Sequence, residues 1–333
     1  MTVVVRIFDI IIALTPIVFL LLLLCAVLTK VPLKNLTISK KSYPADDENS
    51  TQPILTREVY ISGYERPHPE LCPNLGAKLS LLILIPSSPI NRLARNAIRK
   101  TWGHYAFRSD ISIAFIIGTS LQHLKRDIDE EDELYGDIIV GRFIDTYKNL
   151  TLKTLSILEW IDVYCPKVPK LLKCDDDMFI NVPRLLQFIK VPSRVNATKT
   201  IWGNVVKKSL PNRSKRSKYF VSRLQYPDTV FPDYMTGPAY LLTTDVTKDI
   251  LAAAPNEVYL TVEDVFVTGL IASKLGIKRQ HAPEFSTTKT LLPCAVKKLI
   301  SIHMMAYYEQ FDLWTNLLDG TMQCADKNNN MLN

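Results

Sequence analysis

Residues 81–85 read Leu-Leu-Ile-Leu-Ile and are closed by Pro86, and from Ile111 to Ile117 a second apolar run is broken only by Ser112. A strand with one wet face alternates polar and apolar side chains. A short unbroken run belongs to a strand covered on both faces. Asp137 to Ile144 is a more mixed third segment of this kind, and Leu171 to Cys174 a short fourth. Helical patterns lie between them. Leu152, Leu155, Ile157, Leu158 and Ile161 recur at helical spacing, with Asn149 and Thr151 as candidate caps and Pro166 as terminator. Asp264 to Leu275 gives a second amphipathic stretch, stopped by Gly276. Strands alternating with helices define an α/β chain with a doubly wound sheet, in which ligands sit beyond the carboxyl ends of the strands. No internal repeat or low-complexity tract interrupts this order.

Position gives weight to the triplet Asp175-Asp176-Asp177, which directly follows the strand at Leu171–Cys174 and precedes Met178-Phe179-Ile180. Three adjacent carboxylates repel one another and give up solvation unless a cation offsets the cost. Hard oxygen ligands suit Mg²⁺ or Mn²⁺, which then bridges to phosphate oxygens. On a bent loop Asp175 and Asp177 face one side and Asp176 the other; the competing reading is a solvated acidic turn. Glu263 and Asp264 open the second amphipathic stretch, where they either complement the helix dipole or supply a general base. His303, in Ile-Ser-Ile-His-Met, is either a satisfied core histidine or a metal ligand. Arg92, Arg95, Arg99 and Lys100 lie at helical spacing behind the first strand, as solvated surface or facing a diphosphate. Lys207, Lys208, Arg213, Lys215, Arg216 and Lys218 form a denser basic loop, read first as exposed surface and second as an anion-binding or acceptor-side loop.

At the amino terminus Ile10–Leu28 is an almost unbroken apolar run, long enough to cross the roughly 30 Å hydrocarbon core. A cleaved signal peptide is the rival, but Thr29 and Lys30 follow with no convincing cleavage site. Lys30, Lys34, Lys40 and Lys41 after the span lean toward a cytosolic body. Five N-x-S/T sequons, at Asn35, Asn49, Asn149, Asn196 and Asn212, favour a luminal or extracellular one, and that orientation is adopted. Cys25 lies in the span; the other five of the six cysteines leave at least one without an internal partner, and no C-x-x-C zinc spacing occurs. Residues 29–77, rich in Lys, Ser, Asp, Asn, Pro and Thr without periodicity, read as a stem. The formal charge of +7 is spread along the chain, which suits a small anionic ligand better than nucleic acid.

Taken together, several segments resemble the β-1,3-galactosyltransferase family, glycosyltransferase family 31. They are Arg92–Gly103, Phe115–Gly118, Tyr135–Thr154, Lys173–Asn181, Lys218–Tyr240 and Glu263–Gly276, with Cys294 and His303 near a C-terminal cysteine–histidine pattern. The resemblance covers roughly residues 78–320, and the order and spacing of the pieces make it specific. It implies a GT-A type fold, a mixed, mostly parallel sheet flanked by helices, behind a transmembrane signal anchor. The expected organisation is a cytosolic tail 1–9, an anchor 10–28, a luminal stem 29–77 and a catalytic domain 78–333 in the Golgi membrane. The implied donor is a UDP-sugar, the acceptor a glycan on glycoprotein or glycolipid, and the cofactor Mn²⁺ held by Asp177 and His303. Asp175 or Asp176 then touches the ribose or sugar, Arg95, Arg99 and Lys173 belong to the nucleotide side, and Asp264 is the base.

The segment after Glu263 departs from the usual family pattern in being longer and less aromatic, since Phe266, Val267 and Thr268 precede Gly269. Gly237-Pro238-Ala239 stands where the pattern often has a glycine with a small residue. Both bear on donor-sugar contacts, and neither removes a catalytic group. The expected reaction is an inverting transfer of galactose, with N-acetylglucosamine as the alternative donor sugar. A metal-independent glycosidase with two carboxylates and a membrane-bound sugar-binding protein are the rival classes.

Overall fold

The central sheet is built around β2 (Leu81–Pro86), and its side chains show why the sequence carries no alternation there. Leu82 and Leu84 enter one hydrophobic core, while Leu81, Ile83 and Ile85 enter another on the opposite face. The computed structural model describes residues 52–120, 122–321 and 324; the expected tail, the anchor and the first part of the stem lie outside the described residues. Among the described residues no helix is long and apolar enough to cross a membrane.

The remaining strands are β1 (Tyr64–Arg66), β3 (Ile111–Thr119), β4 (Ile138–Ile144), β5 (Lys170–Cys174), β6 (Phe179–Ile180), β7 (Thr200–Val206), β8 (Tyr234–Thr243), β9 (Lys278–His281) and β10 (Ser301–Ile302). With β2, seven of these form one eight-stranded sheet in the order β1-β4-β3-β2-β5-β8-β7-β9, and β10 pairs with β6 in a separate ribbon. β4, β3, β2 and β5 run parallel, β7 and β9 are parallel to each other, and β1 and β8 run antiparallel to their neighbours. The sheet is therefore mixed and mostly parallel, as expected. From β2 the chain proceeds outward to β3 and β4, then crosses to β5 on the other side of β2. That reversal of strand order opens a crevice beyond the carboxyl ends of β2 and β5, the place where such sheets take ligands.

The longer helices are α1 (Arg92–Arg99), α2 (Gln122–Tyr135), α3 (Leu150–Tyr164), α4 (Val182–Ile189), α5 (Thr247–Ala253) and α6 (Glu309–Leu318). Leu155, Leu158 and Ile161 of α3 join the core that holds Leu82 and Leu84, and Leu185 and Phe188 of α4 join the opposite one. Asn149 stands at the N-cap position of α3 but caps nothing; its Nδ2 donates to Ile144 O at 2.9 Å. Thr151 donates instead to Leu260 O at 2.6 Å. The amphipathic stretch after Asp264 is wound mainly as a π-helix, Val265–Ile271, followed by a short α-turn at Ala272–Lys274.

The boundary expected at residue 77 is corrected. β1 adds an edge strand to β4, Thr56 N donates to Glu257 O at 2.9 Å, and Tyr64 OH donates to Ser156 O at 2.6 Å. Cys72 is disulfide-bonded to Cys165 at the end of α3, and Cys294 to Cys324. Among the described residues Cys174 is the free cysteine left by the odd count, and it is buried at the end of β5. A strand of three residues carries no periodicity, so composition alone made the segment look like a stem. Deleting residues 52–77 exposes the β4 edge and leaves Cys165 unpaired. Relative to a chain beginning at residue 52, the expected melting temperature falls by about 10 °C or more, measured by thermal unfolding. Equal values would return the segment to the stem.

Candidate active site

The acidic triplet leaves β5 where the sheet order reverses, and each carboxylate meets different neighbours. Asp176 turns toward the end of β2, where Ser87 Oγ donates to its Oδ2 at 2.6 Å and Asn91 Nδ2 donates to the same oxygen at 2.9 Å. Asp175 turns toward β8: its Oδ1 accepts from Lys173 Nζ at 2.6 Å, and its backbone N–H donates to Pro238 O at 2.9 Å. Asp177 faces a third group. The β6–β10 pairing sets Phe179 opposite Ile302, so His303 falls beside the triplet, with Nε2 3.4 Å from Asp177 Oδ2. The Met305 N–H donates to Asp177 O at 2.9 Å and closes this corner.

Across the crevice, the N–H of Gly237 in β8 donates to Asp264 Oδ2 and the N–H of Val265 to Asp264 Oδ1, both at 2.9 Å. Behind Asp264 lies Glu263, 6% exposed, whose Oε1 accepts from Tyr240 OH at 2.6 Å. Lys173 joins the two sides: its buried ammonium donates to Gly237 O at 2.7 Å and sits 3.7 Å from Glu263 Oε2. Lys173, Asp175, Asp177, Asp264 and His303 all line a cavity of about 520 Å³. Tyr147, Lys218, Tyr219 and Ser209 line it too, from α3's approach and the basic loop. Lys218 Nζ stands 5.3 Å from the Tyr147 ring centre and 4.9 Å from that of Tyr219.

The electrostatics follow from this crowding. Burial pushes the Asp264 carboxyl up to about 7, with Glu263 adding to the rise. Burial likewise raises Asp175 to about 6, although Lys173 pulls it back, and raises Asp176 against the hydrogen bonds of Ser87 and Asn91. For Lys173 burial acts downward, but the Asp175 and Glu263 charges outweigh it and hold the amine protonated. Burial also acts downward on His303, and Asp177 more than reverses it, so the imidazole pKa lies above its usual value. Asp177 and His303 both reach the cavity, and a carboxylate oxygen and an imidazole nitrogen are donor types that divalent cations accept. Among the described residues no group of three or more His, Cys, Asp or Glu side chains is placed to hold a metal ion.

Arg95 and Arg99 are not brought to the cavity. Arg95 is fully buried; Nε and an Nη donate to the two oxygens of Glu131 at 2.8 and 2.6 Å, and the rest of the fork bonds Ser87 Oγ, Ser88 O and Pro89 O. Arg99 forms a bidentate pair with Asp137 at 2.8 and 2.7 Å and reaches Glu131 Oε1 at 2.7 Å. Both guanidinium groups are committed inside the protein, so the diphosphate role expected for them is corrected. Arg95 instead supports the site from below, since Ser87 Oγ accepts from Arg95 while donating to Asp176. Ser87 and Tyr240 were missed by sequence reasoning. Ser87 was within reach, because it follows directly on the apolar strand whose end marks the crevice.

With this geometry in place, comparison with known proteins assigns the chain. Residues 93–283 match the profile of the family described as galactosyltransferase. A lactosylceramide 1,3-N-acetyl-beta-D-glucosaminyltransferase of Xenopus tropicalis is 34% identical over 72% of this chain and 66% of its own length. The human protein of that name is 34% identical over 74% of this chain and 68% of its own length. Beta-1,3-galactosyltransferase 1 of Mus musculus is 32% identical over 86% of each chain. The chain thus spans about two thirds of the first relatives' length and more of the mouse protein. The matches make the chain a glycosyltransferase. The chain belongs to the galactosyltransferase family.

Replacing Arg99 with Met separates the two roles considered for it. Leaving Glu131 and Asp137 short of a partner is expected to cost about 3 kcal/mol in urea unfolding, while UDP affinity stays within about twofold. Unchanged stability with a large loss of UDP affinity would restore the diphosphate role.

Proposed function

We propose that this protein is an inverting hexosyltransferase of GT-A type that moves galactose from UDP-galactose onto a sugar hydroxyl in β-1,3 linkage. The observation that carries the reading is a single cavity lined by Asp264 on one wall and by Asp177 and His303 on another. A proton acceptor and a seat for a diphosphate-bound cation are the two groups that such a transfer needs. Mn²⁺ would be held by Asp177 and His303, and when bound it offsets charge developing on the departing UDP.

The chain's own residues perform the rest. Two backbone N–H groups fix Asp264 and leave further lone pairs of its carboxylate for an incoming hydroxyl. Asp264 takes the hydroxyl proton as that oxygen attacks the anomeric carbon from the face opposite UDP. The bond from that carbon to the UDP oxygen breaks in the same displacement, so an α-linked donor gives a β-linked product. Lys173 keeps Asp175 ionised and holds the β8 backbone at Gly237, which in turn holds Asp264.

Galactose is supported by the mouse galactosyltransferase, whose match extends over the larger share of both chains. UDP-N-acetylglucosamine is the second reading, favoured by the names of the lactosylceramide-acting relatives. By the same reading the protein is a single-pass type II Golgi membrane protein with its body in the lumen. The two disulfides support an oxidising compartment, and the relatives' names support a glycolipid or glycoprotein acceptor.

The experiment is UDP release across a panel of UDP-sugars and simple acceptors, with Mn²⁺ or EDTA. Turnover with UDP-galactose, lost in EDTA and in Asp177→Asn, is the expected result; turnover only with UDP-N-acetylglucosamine selects the second donor. A folded protein that binds no UDP would overturn the reading.

Asp264→Asn is expected to lower kcat by about 100-fold or more and leave UDP binding within about twofold. In the parent protein turnover rises with pH through about 7, because the base acts only when ionised. The sign for stability is opposite. A folded-state pKa raised above the unfolded value contributes stability at low pH that is lost as pH rises through about 7. Asp264→Asn therefore raises the melting temperature relative to the parent at pH 8 and not at pH 5. A flat pH profile in both assays would remove Asp264 from the role of base.

A further inference from the structure

The segment immediately after Asp264 is wound as a π-helix from Val265 to Ile271, and the N–H of Ala272 reaches back to Val267 O. A π-turn accommodates one more residue than an α-turn, and such turns occur as isolated bulges, frequently at functional sites. Here it covers the stretch in which Phe266, Val267 and Thr268 precede Gly269.

Thr268 is fully buried within this turn. Its hydroxyl accepts from the N–H of Met235 at 2.9 Å and donates to the backbone O of Asp264 at 2.5 Å. Two residues along β8 from Met235, the N–H of Gly237 donates to Asp264 Oδ2 at 2.9 Å. Asp264 is thus tied to β8 twice, once through its carboxylate directly and once through its carbonyl by way of Thr268. Helix and strand approach closely at the same level: a Cβ at Gly269 would lie 3.2 Å from Tyr234 Cβ and 3.4 Å from Pro232 Cγ.

We propose that the Thr268 hydroxyl is a positioning group for Asp264, fixing the distance between the π-turn and β8 and with it the placement of the carboxylate in the cavity. A hydroxyl suits the place because one atom must both accept an N–H and donate to a carbonyl. The inference rests on the reading of Asp264 as base. Thr268 touches neither substrate nor the carboxylate oxygens; it acts through the backbone on either side of them.

The test compares Thr268→Ala with Thr268→Ser in the full chain, using the UDP-sugar and acceptor that support turnover. Both variants lack the methyl group and differ by the hydroxyl. The Ser variant is expected to keep kcat within about threefold of the parent and the Ala variant to lose about 10- to 100-fold, since a displacement on the order of 1 Å can cost that much. UDP affinity should remain within about twofold in both, and urea unfolding verifies that each is folded. An Ala-to-Ser kcat ratio within twofold, or an equal loss of kcat and UDP affinity, overturns the positioning role. Asp264→Asn is assayed alongside. Normal turnover there overturns the base reading and this inference with it, whereas an inactive Asp264→Asn with equal Ala and Ser variants overturns the positioning role alone.

Discussion

The site depends on one buried cation. Asp175, Asp177, Glu263 and Asp264 line one cavity, and Lys173 is the ammonium that lies among them, 2.6 Å from Asp175 and 3.7 Å from Glu263. Without it, the carboxylates would have to leave water with only their mutual repulsion for company. The same ammonium holds Gly237 O, and Gly237 N holds Asp264, so charge balance and backbone placement come from a single side chain. Neutralisation is incomplete. Asp264 and Asp175 retain pKa values of about 7 and 6, raised chiefly by burial and against the pull of Lys173.

A second buried ionic group works at one remove. Glu131 in α2 gathers Arg95 and Arg99 from α1, and Arg95 passes the arrangement to Asp176 through Ser87. Lys153 adds to the same floor by donating to Ser87 O at 2.7 Å and to Asp145 at 2.9 Å. Such groups supply little net stability compared with an apolar core, but removing one partner is costly. Their effect here is geometric: the end of β2 is held so that its first polar side chain meets the triplet leaving β5.

The strands were legible because they are buried on both faces, which leaves uninterrupted runs at Leu81–Ile85 and Ile111–Ile117. The triplet was legible because it follows β5 so closely, and Asp177, His303, Asp175, Lys173 and Asp264 do share one cavity. What the sequence hid has physical reasons. Cations at helical spacing look the same whether they face a ligand or a buried acid, and Glu131, the acid that claims Arg95 and Arg99, stands in a helix whose sequence, Gln122–Tyr135, reads as solvated surface. A three-residue strand such as β1 has no pattern to detect. Asn149 has the residue type of a cap, yet the backbone it serves is Ile144, five residues back. The π-winding was hidden because the apolar spacing of Val265–Ile271 fits an α-helix equally well; the two differ in backbone bonds such as that from Ala272 N–H to Val267 O.

The antiparallel direction of β8 explains why so many of these parts meet at one edge. Next to β5, a parallel strand would bring only its carboxyl end and outgoing loop to the crevice. β8 instead presents its amino-terminal end there, so Gly237 and Pro238 lie beside the triplet and the loop leading into β8 arrives at the same edge. That incoming segment carries Ser209, Lys218 and Tyr219, which form a cavity wall opposite the acidic floor. Arg213 secures the wall by donating to the carbonyls of Val221, Ser222, Tyr226 and Asp228, which ties the loop to its own backbone. One reversed strand therefore contributes a backbone clamp for the base and a preformed wall for the pocket, and it does so without disturbing the parallel strands that place the triplet.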